Sequence, residues 1–162
     1  MVYYSMNFIS CNTIHHWPYK TPTSLSSIQL HPLFGYPNIM ITRNEAPWDD
    51  EVKESGHTPP GFAKIYRDKY PVTPGHLLFV PNTPSLLDIN QTLSWAYGYG
   101  RHKVIQGEWE GFNVGMNCGE VAGQTIMYPH IHLIPRSKGD TIDPVGGVRN
   151  VIRGKGNYHK GK

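Results

Sequence analysis

Residues 123–136, Gly-Gln-Thr-Ile-Met-Tyr-Pro-His-Ile-His-Leu-Ile-Pro-Arg, decide the fold because they carry two histidines at strand spacing. Side chains alternate between the two faces of a strand, so Tyr128, His130 and His132 would share one face. Two adjacent imidazoles are typical of metal ligands, of a nucleophile with an acid/base partner, or of histidines hydrogen-bonded in a core. The pair alone leaves all three interpretations open.

The composition indicates one folded domain. The chain has 162 residues, with 38% hydrophobic and 17% charged residues, which is typical of a globular protein with a sizeable core. Its 17 glycines and 14 prolines favour short elements separated by turns and argue against a helical bundle. Cys11 and Cys118 are too few and too far apart for a disulfide framework or a CxxC zinc site.

Charge and hydropathy indicate the compartment of the protein and the classes of partner that it binds. There is no signal-peptide pattern and no apolar run near the roughly 18 residues of a membrane span. We therefore expect a soluble, cytoplasmic protein without a membrane partner. The net charge of +3 is too small to indicate a nucleic-acid binder. The basic residues after Asp143 are as compatible with a solvated tail as with an anion-binding segment.

The hydrophobic patterns predict an α+β fold, an antiparallel sheet of about five strands with one main helix packed on it. Strands are predicted at residues 38–43, 62–66, 76–81, 111–117 and within 123–136. Helical spacing of apolar residues predicts the helix over 85–105. Residues 1–60 show no sustained period and are interpreted as an N-terminal extension, which leaves 61–162 as the domain.

Two further features bear on function. The loop 118–123 between two predicted strands contains glycines, and its backbone N–H groups could form a concave cradle for phosphate. Glycine is equally typical of hairpin turns, so the loop alone is weak support. His76 begins an otherwise apolar strand, where a buried ring needs a hydrogen-bond partner.

Together these residues resemble the histidine triad (HIT) family of nucleotide hydrolases and transferases. The family motif is His-x-His-x-His after Gly-Gln-Thr or Gly-Gln-Ser. The matching segments here are Gly123-Gln124-Thr125, His130, His132, Leu133-Ile134-Pro135-Arg136 and Pro74-Gly75-His76. The tail, from Lys138-Gly139-Asp140 to Gly146-Gly147-Val148-Arg149, is similar to the bacterial and archaeal diadenosine-polyphosphate hydrolase branch. One position departs, because Tyr128 stands where the family has its first histidine.

The resemblance implies a role for each matched residue. His130 would attack the α-phosphorus of a nucleotide and form a nucleotidyl-histidine, His132 would assist proton transfer at the leaving oxygen, and His76 would lie beside the nucleophile. The implied substrate-binding residues are Asp68, at the ribose hydroxyls, with Asn117, Gly123, Gln124, Thr125 and Tyr128. If the backbone carbonyl of residue 128 fixes the tautomer of His130, its side chain is replaceable.

The implied function is hydrolysis of dinucleoside polyphosphates or of related nucleoside phosphate esters and phosphoramidates. The histidine chemistry requires no cofactor, although a divalent cation is compatible with a bound polyphosphate. The family also implies a homodimer formed through the helix and an edge strand. The alternatives are a nucleotidyltransferase or phosphorylase, a nucleotide-binding protein whose catalysis Tyr128 reduces, and a zinc site of His76, His130 and His132.

Overall fold

The computed structural model of the chain describes residues 42–53, 59 and 61–159. The helix and strands are β1 (Ala63–Arg67), β2 (Leu77–Pro81), α1 (Leu86–Ile105), β3 (Gly111–Gly115) and β4 (Ile131–Arg136). Every described residue belongs to one compact unit. Among the described residues no helix is long and apolar enough to cross a membrane.

The four strands form one sheet in the order β1-β2-β4-β3, and all neighbours are antiparallel. The prediction of an α+β fold with one main helix is confirmed, with four strands in the described residues where about five were expected. Most of the strand predicted at residues 38–43 lies outside the described residues. Its last residue, Arg43, begins a 3-10 helix, and the Thr42 N–H donates to the Glu45 carboxylate at 2.6 Å.

Helix α1 covers one face of the sheet. Ala96 and Tyr99 of the helix pack in one buried cluster with Phe79, Ile131 and Leu133, whose side chains are fully buried. Burial of each large apolar side chain contributes roughly 1.5–3 kcal/mol. The alternation predicted for the histidine stretch therefore places its apolar residues under the helix.

A second apolar cluster lies apart from this helix-covered core and consists of Tyr66, Leu78, Val80 and Tyr128, with Trp48 and Ile126 packed against it.

Strand β4 starts later than the histidine pattern predicts. Because Pro129 has no N–H to donate, the ladder begins only at Ile131. Tyr128 and His130 thus precede the strand.

Part of the predicted extension belongs to this fold. The Val52 N–H donates to the Ile65 carbonyl at 2.8 Å, and the Arg67 N–H donates to the Asp50 carbonyl at 2.9 Å. These bonds run along the free edge of β1, while Val52 itself is buried in the helix-side cluster. Residues 50–52 therefore cover an edge strand that would otherwise be unpaired.

Helix α1 begins at a side-chain cap and contains two glycines with different surroundings. The Ser85 hydroxyl accepts the Asp88 N–H at 3.1 Å. A Cβ on Gly100 would lie 2.8 Å from the Phe112 ring, whereas a Cβ on Gly98 would meet nothing within 4 Å among the described residues. Of these two glycines, only Gly100 is required by close packing, because a side chain there would collide with Phe112.

We predict opposite effects of alanine at these two positions. Gly98→Ala should stabilise the protein by about 0.5–1 kcal/mol, because alanine loses less backbone entropy in a helix. Gly100→Ala should destabilise it by about 1–3 kcal/mol, since the added methyl group overpacks against Phe112. Urea unfolding of the two variants measures both effects. Equal stability of the two variants would contradict the packing described here.

Candidate active site

Three histidines meet on one side of the sheet. Strand β2 pairs with β4 so that Leu78 lies opposite His132 and Leu77 opposite Leu133, and this antiparallel register brings His76, just before β2, close to His132. The His130 and His132 rings are 5.0 Å apart between centroids, and the His76 and His132 rings are 5.2 Å apart. His76 and His130 are buried, and His132 is partly exposed.

The tautomer of His130 is fixed by the backbone. Its Nδ1 lies 2.8 Å from the carbonyl oxygen of Tyr128. A carbonyl can only accept, so Nδ1 carries the proton and Nε2 keeps its lone pair. Burial lowers the pKa of His130, which keeps the ring neutral near pH 7. The geometry therefore presents a neutral nitrogen that can act as a nucleophile.

The Tyr128 side chain points to a different part of the fold. Its hydroxyl lies 3.0 Å from both the Pro81 and Asn82 carbonyl oxygens, at the end of β2. The ring is only 3% exposed, and burial raises the pKa of the phenol. The hydroxyl is thus a neutral donor engaged within the fold. Tyr128 serves the site through its backbone carbonyl.

His76, His132 and Asp68 form a second polar group beside His130. His76 Nε2 lies 3.0 Å from His132 Nδ1, and the Asp68 carboxylate lies 3.4 Å from His76 Nδ1. Burial and the neighbouring His130 and His76 lower the pKa of His132 to about 4. The pKa of His76 is also lowered by burial, although the charge of Asp68 opposes this shift. All three rings are therefore neutral near pH 7.

The Gly-containing loop is closed by its own hydrogen bonds. The Gly119 N–H donates to Gln124 Oε1 at 2.8 Å, and Gln124 Nε2 donates to the Ile126 carbonyl at 3.0 Å. Asn117 Nδ2 lies 3.4 Å from the Gly123 carbonyl, and Gly123 adopts a left-handed conformation with φ 85°. Thr125 is exposed. Gln124 therefore shapes the loop, and Thr125 remains accessible.

One residue near the site was missed by the sequence patterns. The Trp48 ring lies 5.2 Å from the His130 ring and is stacked on Tyr66 at 6.0 Å. Its indole N–H is buried and has no hydrogen-bond partner among the described residues. Trp48 lies in an acidic segment rich in turn residues, where no periodic pattern indicates packing. Its position depends on contacts distant in sequence.

We predict that the Tyr128 hydroxyl stabilises the fold, whereas the His130 tautomer depends on the backbone carbonyl of residue 128. Tyr128→Phe keeps the ring and the carbonyl but leaves the Pro81 and Asn82 carbonyls without this donor, which should cost about 1–2 kcal/mol. Urea unfolding measures the loss, and ¹⁵N NMR of the histidines should show His130 protonated at Nδ1 in both the native protein and the variant. Tyr158→Phe, at an exposed tyrosine far along the chain, is the matched control. An unchanged stability, or a changed His130 tautomer, in Tyr128→Phe would refute these roles.

We also predict that stability falls as the pH is lowered from about 6.5 toward 4. The pKa values of His76, His130 and His132 are lowered in the folded state, so the unfolded chain binds protons first. The contribution is fully present above pH 6.5 and is lost progressively below it. Urea midpoints across this range measure the slope, which His132→Gln should flatten and the exposed His159→Gln should not. A flat midpoint in the native protein would contradict the prediction.

Comparisons with known proteins agree with the geometry. The HIT domain family matches residues 62–139. The chain is 35% identical over 99 residues to Protein hit of Bacillus subtilis, covering 51% of this chain and 68% of that protein. It is 35% identical over 90 residues to an AP-4-A phosphorylase of Mycobacterium tuberculosis, covering 49% and 46%. It is 30% identical over 100 residues to a bis(5'-adenosyl)-triphosphatase of Saccharomyces cerevisiae, covering 52% and 47%.

A crystal structure of a HIT family protein from Bacillus anthracis is also similar, with a TM-score of 0.46, 26% identity, and coverage of 56% of this chain and 66% of that chain. The chain thus spans about two thirds of the Bacillus subtilis relative and about half of the other two relatives. The chain is 35% identical to Protein hit, covers 68% of that protein, and carries two histidines of the family motif. It therefore belongs to the histidine triad (HIT) family.

Proposed function

We propose that this protein is a nucleotide hydrolase that acts on dinucleoside polyphosphates, or on related nucleoside phosphate esters and phosphoramidates, through a nucleotidyl intermediate on His130. One observation carries the proposal. The bond from His130 Nδ1 to the Tyr128 carbonyl, 2.8 Å long, leaves Nε2 free to attack phosphorus. Two relatives are named a bis(5'-adenosyl)-triphosphatase and an AP-4-A phosphorylase, and these names support the substrate class.

The chemistry proceeds in two displacements. In the first, the lone pair of His130 Nε2 attacks the α-phosphorus, and the bond to the bridging oxygen breaks with its electron pair on the leaving phosphate. In the second, a water oxygen attacks the same phosphorus, the P–N bond breaks, and a proton from water is released. Together the two steps replace one hard displacement by two easier ones. The neutral state of His130 near pH 7 favours the first attack.

His132 assists through hydrogen bonding at the departing oxygen. When His76 Nε2 donates to His132 Nδ1 across their 3.0 Å contact, His132 carries its proton on Nε2. That N–H can donate to a phosphate or leaving-group oxygen as negative charge develops there. The residues proposed to hold the nucleotide are Asp68, Asn117, Gly123, Gln124 and Thr125. No cofactor is needed for these steps.

A transferase is the second candidate, because one relative is named a phosphorylase. Here inorganic phosphate, rather than water, would attack the nucleotidyl-histidine. A binding protein without turnover is less well supported, since the replaced side chain at residue 128 is not part of the bond that orients His130. The tyrosine leaves the nucleophile's orientation in place.

We further propose a homodimer through α1 and the edge strand β3. Leu93 and Tyr97 of the helix are exposed hydrophobic residues. They line one surface depression together with Val114 and Met116, which are only partly buried. An edge strand beside exposed apolar side chains is a typical pairing surface.

Product analysis with a diadenosine polyphosphate and radiolabelled phosphate tests the function. Hydrolysis yields unlabelled adenosine monophosphate, and phosphorolysis yields labelled adenosine diphosphate. His130→Gln should reduce turnover on the order of 10⁴-fold, because the nucleophile is lost. His159→Gln is the control for a histidine outside the site. Turnover that survives His130→Gln would refute the proposal.

A further inference from the structure

We propose that Trp48 is a positioning residue of the active site, whose indole ring holds the His130 ring in the orientation that the first displacement requires. The Trp48 and His130 rings lie 5.2 Å apart between centroids and are tilted by 57°. The family match covers residues 62–139, so Trp48 lies outside it. A segment that precedes the matched region therefore forms one side of the site.

The segment 42–53 is attached to the sheet on both sides of Trp48. Before the tryptophan, Arg43 Nη2 donates to the Tyr66 hydroxyl at 3.1 Å. After it, the Val52 N–H donates to a backbone carbonyl of β1 at 2.8 Å. The position of Trp48 is therefore fixed by hydrogen bonds on either side of it in the chain.

Trp48 packs on the same side of the sheet as the histidines. It contacts the apolar cluster that contains Leu78 and Tyr128. Leu78 lies opposite His132 in the pairing of β2 with β4, and opposite residues on neighbouring strands project from the same face. The indole ring therefore lies on the face that carries the proposed nucleophile, and helix α1 covers the other face.

The contact restricts a motion that the hydrogen bond of His130 leaves open. The bond from Nδ1 to the Tyr128 carbonyl holds one atom of the ring, so the ring can still tilt about that atom. Trp48 at 5.2 Å and His132 at 5.0 Å pack against the ring and oppose this tilt. Trp48 is itself stacked on Tyr66 at 6.0 Å, which limits the movement of the indole. Together these contacts determine where Nε2 points.

The indole N–H supports a role beyond filling space. It is buried and has no hydrogen-bond partner among the described residues. A buried donor without a partner destabilises a fold, and phenylalanine would supply an aromatic ring without that donor. Tryptophan at residue 48 is therefore not the choice that stability alone favours, and such exceptions are expected at functional sites.

Trp48 also keeps water from His130. The His130 side chain is buried, and burial is the largest cause of its lowered pKa. The bond to the Tyr128 carbonyl and the charge of Asp68 raise this pKa, and the neighbouring His132 is neutral near pH 7. Trp48 carries no charge, so its replacement acts on the pKa through water. A smaller side chain at residue 48 should raise the pKa of His130 toward its ordinary value.

The consequence for turnover rests on the proposed function. A nucleophile that samples other orientations attacks phosphorus less often, whereas the contacts that hold the nucleotide are unchanged. Loss of the Trp48 contact should therefore lower kcat by roughly 10- to 100-fold and change KM by less than about threefold.

Trp48→Leu keeps an apolar side chain but removes the ring contact, and this variant tests the inference. ¹⁵N NMR of the histidines, without nucleotide, measures the pKa of His130, and kinetics with a diadenosine polyphosphate measure kcat and KM. We expect a raised pKa and a lowered kcat. Trp48→Phe should show both changes at smaller size. Trp109→Leu is the matched control, because Trp109 is also partly buried but packs against the helix-side cluster.

An unchanged pKa of His130 in Trp48→Leu, or an equal fall of kcat in Trp109→Leu, would overturn the inference. If circular dichroism shows that Trp48→Leu does not fold, a native pKa and kcat in Trp48→Phe would overturn it as well. A raised pKa of His130 in a protein that never turns over nucleotides would refute only the proposed function. Normal turnover that Trp48→Leu leaves unchanged would refute only the positioning role.

Discussion

The hydrogen bond between His130 Nδ1 and the Tyr128 carbonyl is the interaction on which the site depends. It determines which ring nitrogen carries the proton and therefore which one keeps its lone pair. The carbonyl is held because the Tyr128 ring packs in the apolar cluster with Leu78 and Val80, while its hydroxyl bonds to the end of β2. A buried side chain thus positions a backbone oxygen, and the oxygen positions the His130 ring, the proposed nucleophile.

This arrangement explains how the family motif tolerates its altered first position. The bond to His130 uses a group that every residue has, so the requirement at residue 128 is that the side chain fills its pocket and satisfies its polar atom. Tyrosine does both, because Pro81 and Asn82 provide acceptors for the hydroxyl. The same burial that holds Tyr128 removes water from the neighbouring histidines and lowers the pKa values of His130 and His132.

Local patterns predicted the elements more accurately than the contacts between them. Helix α1 and strands β1 to β3 lie close to their predicted ranges, because their apolar spacing also determines which face is buried. The start of β4 depends on the missing N–H of Pro129. The approach of Trp48 to His130 arises from packing between segments distant in sequence. Periodicity contains no information about such contacts.

The proposed mechanism requires a covalent bond between His130 Nε2 and phosphorus during turnover. Rapid mixing with a diadenosine polyphosphate, quenching in base to preserve the P–N bond, and mass spectrometry of the peptides detect this bond. We expect an adenylyl group on the peptide that contains His130, attached at Nε2, which forms and decays at rates compatible with turnover. An adduct on another residue, or full turnover without any covalent intermediate, would rule the mechanism out.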